Sequence, residues 1–115
     1  MSENNRIDYI EFQVANLDES KEFYRNVFGW EFNDYGPSYA GIQDGHGGEI
    51  GGFEETDAIN VGGPLVVLYS ENLEQALADV EAAGAEICRP PFSFPGGRRF
   101  HFIDPSGHEL AVWSK

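Results

Sequence analysis

The sequence predicts an α+β fold of two similar halves, about residues 6–57 and 62–114, within a single domain spanning residues 1–115. Two observations carry that expectation. Asn16-Leu17-Asp18-Glu19-Ser20 recurs 56 positions later as Asn72-Leu73-Glu74-Gln75-Ala76, and both copies read as helix starts. A strand-like segment stands before each copy, and a glycine followed by another strand-like segment stands after it.

Each element has a local reason. Ile7 to Val14 alternates, with Ile10, Phe12 and Val14 on one face and Tyr9, Glu11 and Gln13 on the other. Asn16 can cap a helix, and Glu19 completes a capping box. Leu17, Phe23, Tyr24, Val27 and Phe28 form the apolar stripe of that helix, and Gly29 supplies its C-cap. Strands follow at Trp30-Glu31-Phe32, Tyr39 to Gln43 and Glu49 to Glu54. The glycine-rich Asp44 to Gly48 lacks a strand before and a helix after, so it reads as a hairpin turn and not as a phosphate loop. In the second half, Leu65 to Tyr69 is apolar throughout, as suits a strand buried on both faces. Asn72 caps a helix striped by Leu73, Ala76, Leu77 and Val80, and Gly84 ends it. Ala85-Glu86-Ile87, Arg98 to Ile103 and Glu109 to Ser114 complete the strands, with a turn at Asp104-Pro105-Ser106-Gly107. Pro90 to Gly97 is the longest stretch expected to be irregular, either a connector or a loop over a ligand.

Composition narrows the function classes. Hydrophobic residues make up 41% of the 115, including nine Phe, enough for a packed core. The formal charge is −13, and the acidic excess sits mainly in residues 1–57. Such a surface repels phosphate backbones, so no nucleic-acid partner is expected. It would attract a cationic ligand, or simply keep the protein soluble. No run approaches the roughly 18 apolar residues of a membrane helix, and the polar start suggests no signal peptide. No membrane partner and a cytoplasmic location are the expectation. Cys88 is the lone cysteine, which rules out an intramolecular disulfide and reads as a small buried hydrophobe.

Phe23-Tyr24-x-x-Val27-Phe28-Gly29-Trp30 and Asp104-Pro105-Ser106-Gly107-His108-Glu109-Leu110, with the repeated caps, resemble the glyoxalase/bleomycin resistance protein/dioxygenase (vicinal oxygen chelate) family. The resemblance implies two tandem βαβββ modules forming curved mixed sheets around a concave cavity, with helices on the outer face. It also implies a homodimer and a small-molecule ligand. Many family enzymes hold a divalent metal such as Fe, Mn, Ni or Zn with His and Glu from four strands. Transferred to this chain, those positions fall on Tyr9, near Leu65 and on Ala111, with the fourth-strand register open and Glu49 the nearest acid. The usual ligands are thus replaced, and no cofactor is expected. A rebuilt divalent-metal site could draw on Glu11, Glu49, His101 and Glu109, carboxylates plus an imidazole being a workable set.

Alternation supplies the cavity candidates Tyr9, Glu11, Gln13, Leu65, Val67, Tyr69, His101, Glu109, Ala111 and Trp113. Aromatic faces beside carboxylates suit a flat or cationic ligand. By residue type His101 is the best general base, whereas His46 falls in a turn and His108 at a turn exit. Arg98 and Arg99 could grip a carboxylate, with a solvated strand end the plainer reading. No catalytic residue is assigned. The leading expectation is a metal-independent small-molecule-binding protein. The alternatives are a metal-dependent lyase, isomerase or dioxygenase using the rebuilt site, and an accessory module that recruits another protein. Fold alone does not choose among them.

Overall fold

The computed structural model describes residues 2–58 and 63–115; position 62, where the second half was expected to begin, lies outside the described residues. The elements run β1 (Ile7–Val14), α1 (Leu17–Phe28), β2 (Phe32–Asp34), β3 (Tyr39–Gln43), β4 (Glu49–Glu55), β5 (Leu65–Tyr69), α2 (Leu73–Ala82), β6 (Glu86–Phe94), β7 (Gly97–Ile103) and β8 (Glu109–Ser114). This is the tandem βαβββ arrangement of an α+β protein. Two compact units result, one covering Tyr9–Pro64 and the other Leu65–Lys115 with the segment up to Asp8.

In the first unit the strand order is β2-β3-β4-β1, with β1 and β4 parallel and the other pairs antiparallel. Asn16 caps α1, its side chain accepting from the Glu19 N–H at 2.9 Å, and Gly29 closes the helix in the left-handed conformation. A second free N–H of the first turn, that of Leu17, donates to the Glu55 carboxylate at the end of β4. Leu17, Ala40, Ile42 and Phe53 form the core, with Phe12, Val14, Tyr24, Trp30 and Phe32 packed against it. Tyr24 stacks on Trp30 at 4.6 Å, so the helix is joined to the sheet largely by rings. The expected stripe on α1 is only half used. Leu17 and Tyr24 turn inward, whereas Phe23, Val27 and Phe28 are exposed.

In the second unit the order is β5-β8-β7-β6, with β5 and β8 parallel. The segment before β1 joins it through hydrogen bonds between Asn5, Arg6 and Tyr69. Asn72 caps α2 as Asn16 caps α1, accepting from the Gln75 N–H at 3.1 Å. Here the expected stripe is used in full: Leu73, Phe100 and Val112 form the core, and Ala76, Leu77 and Val80 pack on it. The turn at Asp104 closes as expected, with the Gly107 N–H donating to the Asp104 carbonyl.

Three expectations need correction. The segment Pro90 to Gly97 is not an irregular loop, because β6 extends through Phe94 and only Pro95 and Gly96 form the turn. Strand β6 lies at a sheet edge and shifts register between Ile87 and Arg89 and again between Arg89 and Phe92, and the second shift takes up Pro90 and Pro91, which cannot donate to a ladder. Strand β2 begins at Phe32, two residues later than expected, because Trp30 is taken into the aromatic core above α1. Cys88 is exposed, not buried, since it sits on that same edge strand.

Phe53 and Phe100 are the largest side chains excluded from water in their respective units. Replacing either with Ala removes a ring that the sheet cannot collapse to fill. Each substitution should cost roughly 3–5 kcal/mol in chemical denaturation, against about 1 kcal/mol for Asn16→Ala.

Candidate functional site

Each sheet has one face under its helix and one facing away, and the candidate residues occupy the second kind. In the first unit the ladder sets Glu11 beside Gly52, Gly52 beside Gly41 and Gly41 beside Asn33. The face therefore has a floor of glycine with polar side chains laid across it. A Cβ on Gly52 would collide with the hydroxyls of Tyr9 and Tyr39, and one on Gly41 would collide with the Glu49 carboxylate. At Gly52 the close approach of two rings, not backbone conformation, calls for glycine, whereas over Gly41 the neighbour is the end of the flexible Glu49 side chain.

Over that floor, the Tyr39 hydroxyl donates to Glu11 Oε2 at 3.0 Å, and the hydroxyls of Tyr9 and Tyr39 lie 2.6 Å apart. A phenol has one proton. With that of Tyr39 given to Glu11, Tyr9 must donate to Tyr39, which fixes a relay from Tyr9 through Tyr39 to Glu11. Burial, followed by the Glu11 charge at Tyr39, pushes both phenols well above the ordinary tyrosine pKa, so both keep their protons. Glu49 is held separately, accepting from Asn33 Nδ2 at 2.9 Å and from the Tyr35 hydroxyl, whose pKa that bond raises. The sequence candidates Tyr9 and Glu11 are thus brought together. Tyr35, Tyr39 and Asn33 are members that sequence reasoning missed, and Gln13 lies on the same face through its pairing with Glu54.

In the second unit, β5, β8 and β7 align Val67 with Ala111 and Ala111 with His101, and they set Tyr69 beside Trp113 and Trp113 beside Arg99. Val67, Tyr69, Ala111 and His101 are buried. The Tyr69 and Trp113 rings meet edge to face at 5.0 Å, and the Trp113 indole N–H donates to Asp8. His101 Nδ1 lies 2.8 Å from Glu109 Oε2. Burial lowers the His101 pKa, partly offset by the Glu109 hydrogen bond and reinforced by the charges of Arg99 and Arg89. Strand β6 adds Arg89, whose guanidinium lies 3.9 Å from the Phe92 ring centre, and Phe94, whose ring is 6.2 Å from that of Trp113. Reading Pro90 to Gly97 as irregular concealed Phe92 and Phe94, and Arg89, just before it, was not singled out. The alternation of Phe92 and Phe94 about Ser93 was the available signal. Leu65 opens β5 and is half-buried. Arg98 points to the helix side and pairs with Glu74 at 2.6 Å, while His46 and His108 are exposed in turns.

The register also settles the fourth metal-ligand position implied by the family resemblance. Glu11 pairs with Gly52 just as Val67, its counterpart in the repeat, pairs with Ala111. By that equivalence the position left open in the sequence corresponds to Gly52, and Glu49, the nearest acid, stands three residues before it. Tyr9, Gly52, Leu65 and Ala111 make a set with one protonated phenol and no carboxylate, imidazole or thiolate, which does not fit a divalent metal. Among the described residues no three His, Cys, Asp or Glu side chains are grouped to hold one. No helix among them is long and apolar enough to cross a membrane.

Paired βαβββ units with polar, helix-free sheet faces define the class of this protein. The family model of the Glyoxalase/Bleomycin resistance protein/Dioxygenase superfamily matches residues 6–112, and the chain belongs to that superfamily. Among solved structures, it is similar to the Mn(II)-bound glyoxalase from Novosphingobium aromaticivorans, with 26% identity and a TM-score of 0.70 over 99% of this chain but only 40% of that one. A superfamily member from Vibrio splendidus 12B01 is 16% identical with a TM-score of 0.71, over 97% of this chain and 100% of that one. The Streptomyces coelicolor methylmalonyl-CoA epimerase in complex with 2-nitronate-propionyl-CoA is 19% identical with a TM-score of 0.72, over 98% and 99% of the two chains. No curated protein sequence matches the chain.

Two measurements check the site's chemistry. Tyr39→Phe removes the donor at the Glu11 carboxylate and should cost roughly 1–3 kcal/mol in urea denaturation, whereas Tyr9→Phe removes only the end of the relay and should cost less. The reverse order would mean that the relay runs the other way. The lowered pKa of His101 means that the unfolded chain takes up its proton first. Stability from this residue is then intact above about pH 6.5 and lost as pH falls through the folded-state value. His101→Gln should flatten the stability profile between about pH 6.5 and 5, above the carboxylate range.

Proposed function

We propose that this chain is a metal-independent small-molecule-binding member of the superfamily, taking a flat aromatic or cationic ligand on its helix-free sheet faces. One observation carries the reading. At the four strand positions where metal-dependent relatives are expected to place ligands, this chain has Tyr9, Gly52, Leu65 and Ala111. These are replaced by features that serve binding: phenols and carboxylates around a glycine floor in one unit, and rings with an imidazole in the other. Tyr9, Glu11, Gln13, Val67, Tyr69, His101, Glu109, Ala111 and Trp113 would line the ligand surface, with Leu65 at its margin. A homodimer located in the cytoplasm is part of the same reading. Glu11 and Glu49 are each engaged by different phenols, which tells against drawing both into a rebuilt site with His101 and Glu109.

Metal retention is the first test. The purified protein, equilibrated with Fe(II), Mn(II), Ni(II) or Zn(II) and desalted, should retain far less than one ion per chain by elemental analysis. It should still be stabilised thermally by some members of a panel of aromatic and cationic compounds. Near-stoichiometric retention of one metal that falls on Glu11→Ala or Glu109→Ala would overturn the proposal in favour of a metal-dependent lyase, isomerase or dioxygenase.

A further inference from the structure

On the helix-free face of the second unit, a ring nitrogen of His101 is left without a hydrogen-bond partner by the surrounding described residues. His101 is 4% exposed, and its Nε2 is buried without a hydrogen-bond partner among the described residues. Its other nitrogen, Nδ1, lies 2.8 Å from Glu109 Oε2. A carboxylate only accepts, so the proton of the neutral ring sits on Nδ1 and Nε2 presents a lone pair. Buried acceptors in folded proteins are nearly always paired, and an exception calls for a missing partner. That partner must be a hydrogen-bond donor.

The surroundings of His101 say what kind of molecule could bring the donor. The Phe92 ring centre is 5.8 Å from the imidazole, and Arg89 and Arg99 place guanidiniums 3.9 and 5.5 Å from the same ring. Phe94 and Trp113 continue the aromatic surface along the face. Rings favour a planar ligand. Two guanidiniums disfavour a cation and favour a group that carries partial negative charge. A donor that is planar and gains negative charge as it donates is an acidic hydroxyl on an aromatic ring.

We propose that His101, held by Glu109, is the hydroxyl-binding residue of a subsite for phenols, with the phenol O–H donating to Nε2 and the ring set against Phe92 and Trp113. Arg89 and Arg99 then stabilise the charge that the shared proton leaves on the phenol oxygen. Phe92 and Arg89 stand on an edge strand that shifts register on both sides of Arg89, and this edge is the flank by which the ring would enter. The inference rests on small-molecule binding at the helix-free faces and names the ligand class for one of them.

The test compares 4-nitrophenol with 4-nitroanisole, the same ring without the donor, by NMR titration of the full chain at a pH where the phenol is protonated and His101 neutral. The wild type should bind the phenol on the order of tenfold more tightly, as one desolvated hydrogen bond warrants. The ¹⁵N resonance of His101 Nε2 should be that of an unprotonated nitrogen and should shift with the phenol alone. His101→Phe should bring the two affinities together. Glu109→Gln, at a half-exposed position that tolerates exchange, should release the tautomer and narrow the ratio; it decides the matter if His101→Phe fails to fold. Equal affinities in the wild type, a ratio unchanged by either folded variant, or a proton on Nε2 in the free protein would each overturn the proposal. Absence of binding by both nitro compounds would also overturn it. If other aromatic or cationic compounds still bind, the broader binding function survives; if nothing binds, both fail.

Discussion

Buried polar groups must find partners, and that requirement organises both helix-free faces. Glu11 is 6% exposed and His101 is 4% exposed, so neither can rely on water. Each recruits its own shell. Glu11 accepts a hydrogen bond from Tyr39, which directs the Tyr9 hydroxyl to donate to Tyr39, and the paired phenols need the space that a side chain at Gly52 would fill. His101 takes Glu109 on one nitrogen, and its burial then keeps the ring neutral. The choice of glycine in β4 and the placing of a carboxylate at the start of β8 both follow from desolvating one group in each unit.

The architecture was legible in the sequence because its signals are local. Asn16 and Asn72 had to stand where helices begin, and period-two alternation had to reveal β1. Strands at Tyr39–Gln43, Leu65–Tyr69 and Glu109–Ser114 lie where the pattern puts them. The misreadings came where tertiary context overrode local chemistry. Two adjacent prolines signal a loop, yet this edge strand holds them where its register shifts, so that neither has to donate to the ladder. Phe23, Val27 and Phe28 read as core by helical period, yet the space above the sheet is filled by Tyr24, Trp30 and Phe53. The candidate site was only half legible. Alternation selects a face within one strand, but which residues meet across strands depends on register, and register is not local. Tyr39 is therefore found beside Glu11, 28 positions away, only in three dimensions. The fourth-strand position left open in the sequence, which corresponds to Gly52 by register, was hidden for the same reason.

The two units share a plan but differ in charge, and the difference is structural as well as compositional. Acidic residues concentrate in the first half of the chain, while Arg89, Arg98 and Arg99 all belong to the β6–β7 hairpin of the second. Arg98 is turned to the helix side and neutralised by Glu74, so alternation leaves Arg89 and Arg99 with the rings. A net charge of −13 therefore conceals a hairpin that sets arginines among its rings. Electrostatic arguments from net charge govern encounter at long range. Recognition at contact is governed by the few groups on the face itself.

A scaffold repeated in tandem carries equivalent positions twice, and what stands at those positions decides what chemistry the scaffold can support. Here Glu11 and Val67 are counterparts, as are Gly52 and Ala111. The small residues have the same geometric consequence in both units: neither reaches out from the sheet, so the space above each is available to neighbours. In the first unit those neighbours are phenols that close over the gap and hold a carboxylate. In the second, Val67 offers no charge to neutralise, and the nearest polar partner along the ladder from Ala111 is the imidazole of His101. Small residues at such positions thus need not leave an inert surface. Polar chemistry is then supplied in part from the antiparallel strand beside the parallel pair of each unit, where Tyr39 and His101 stand.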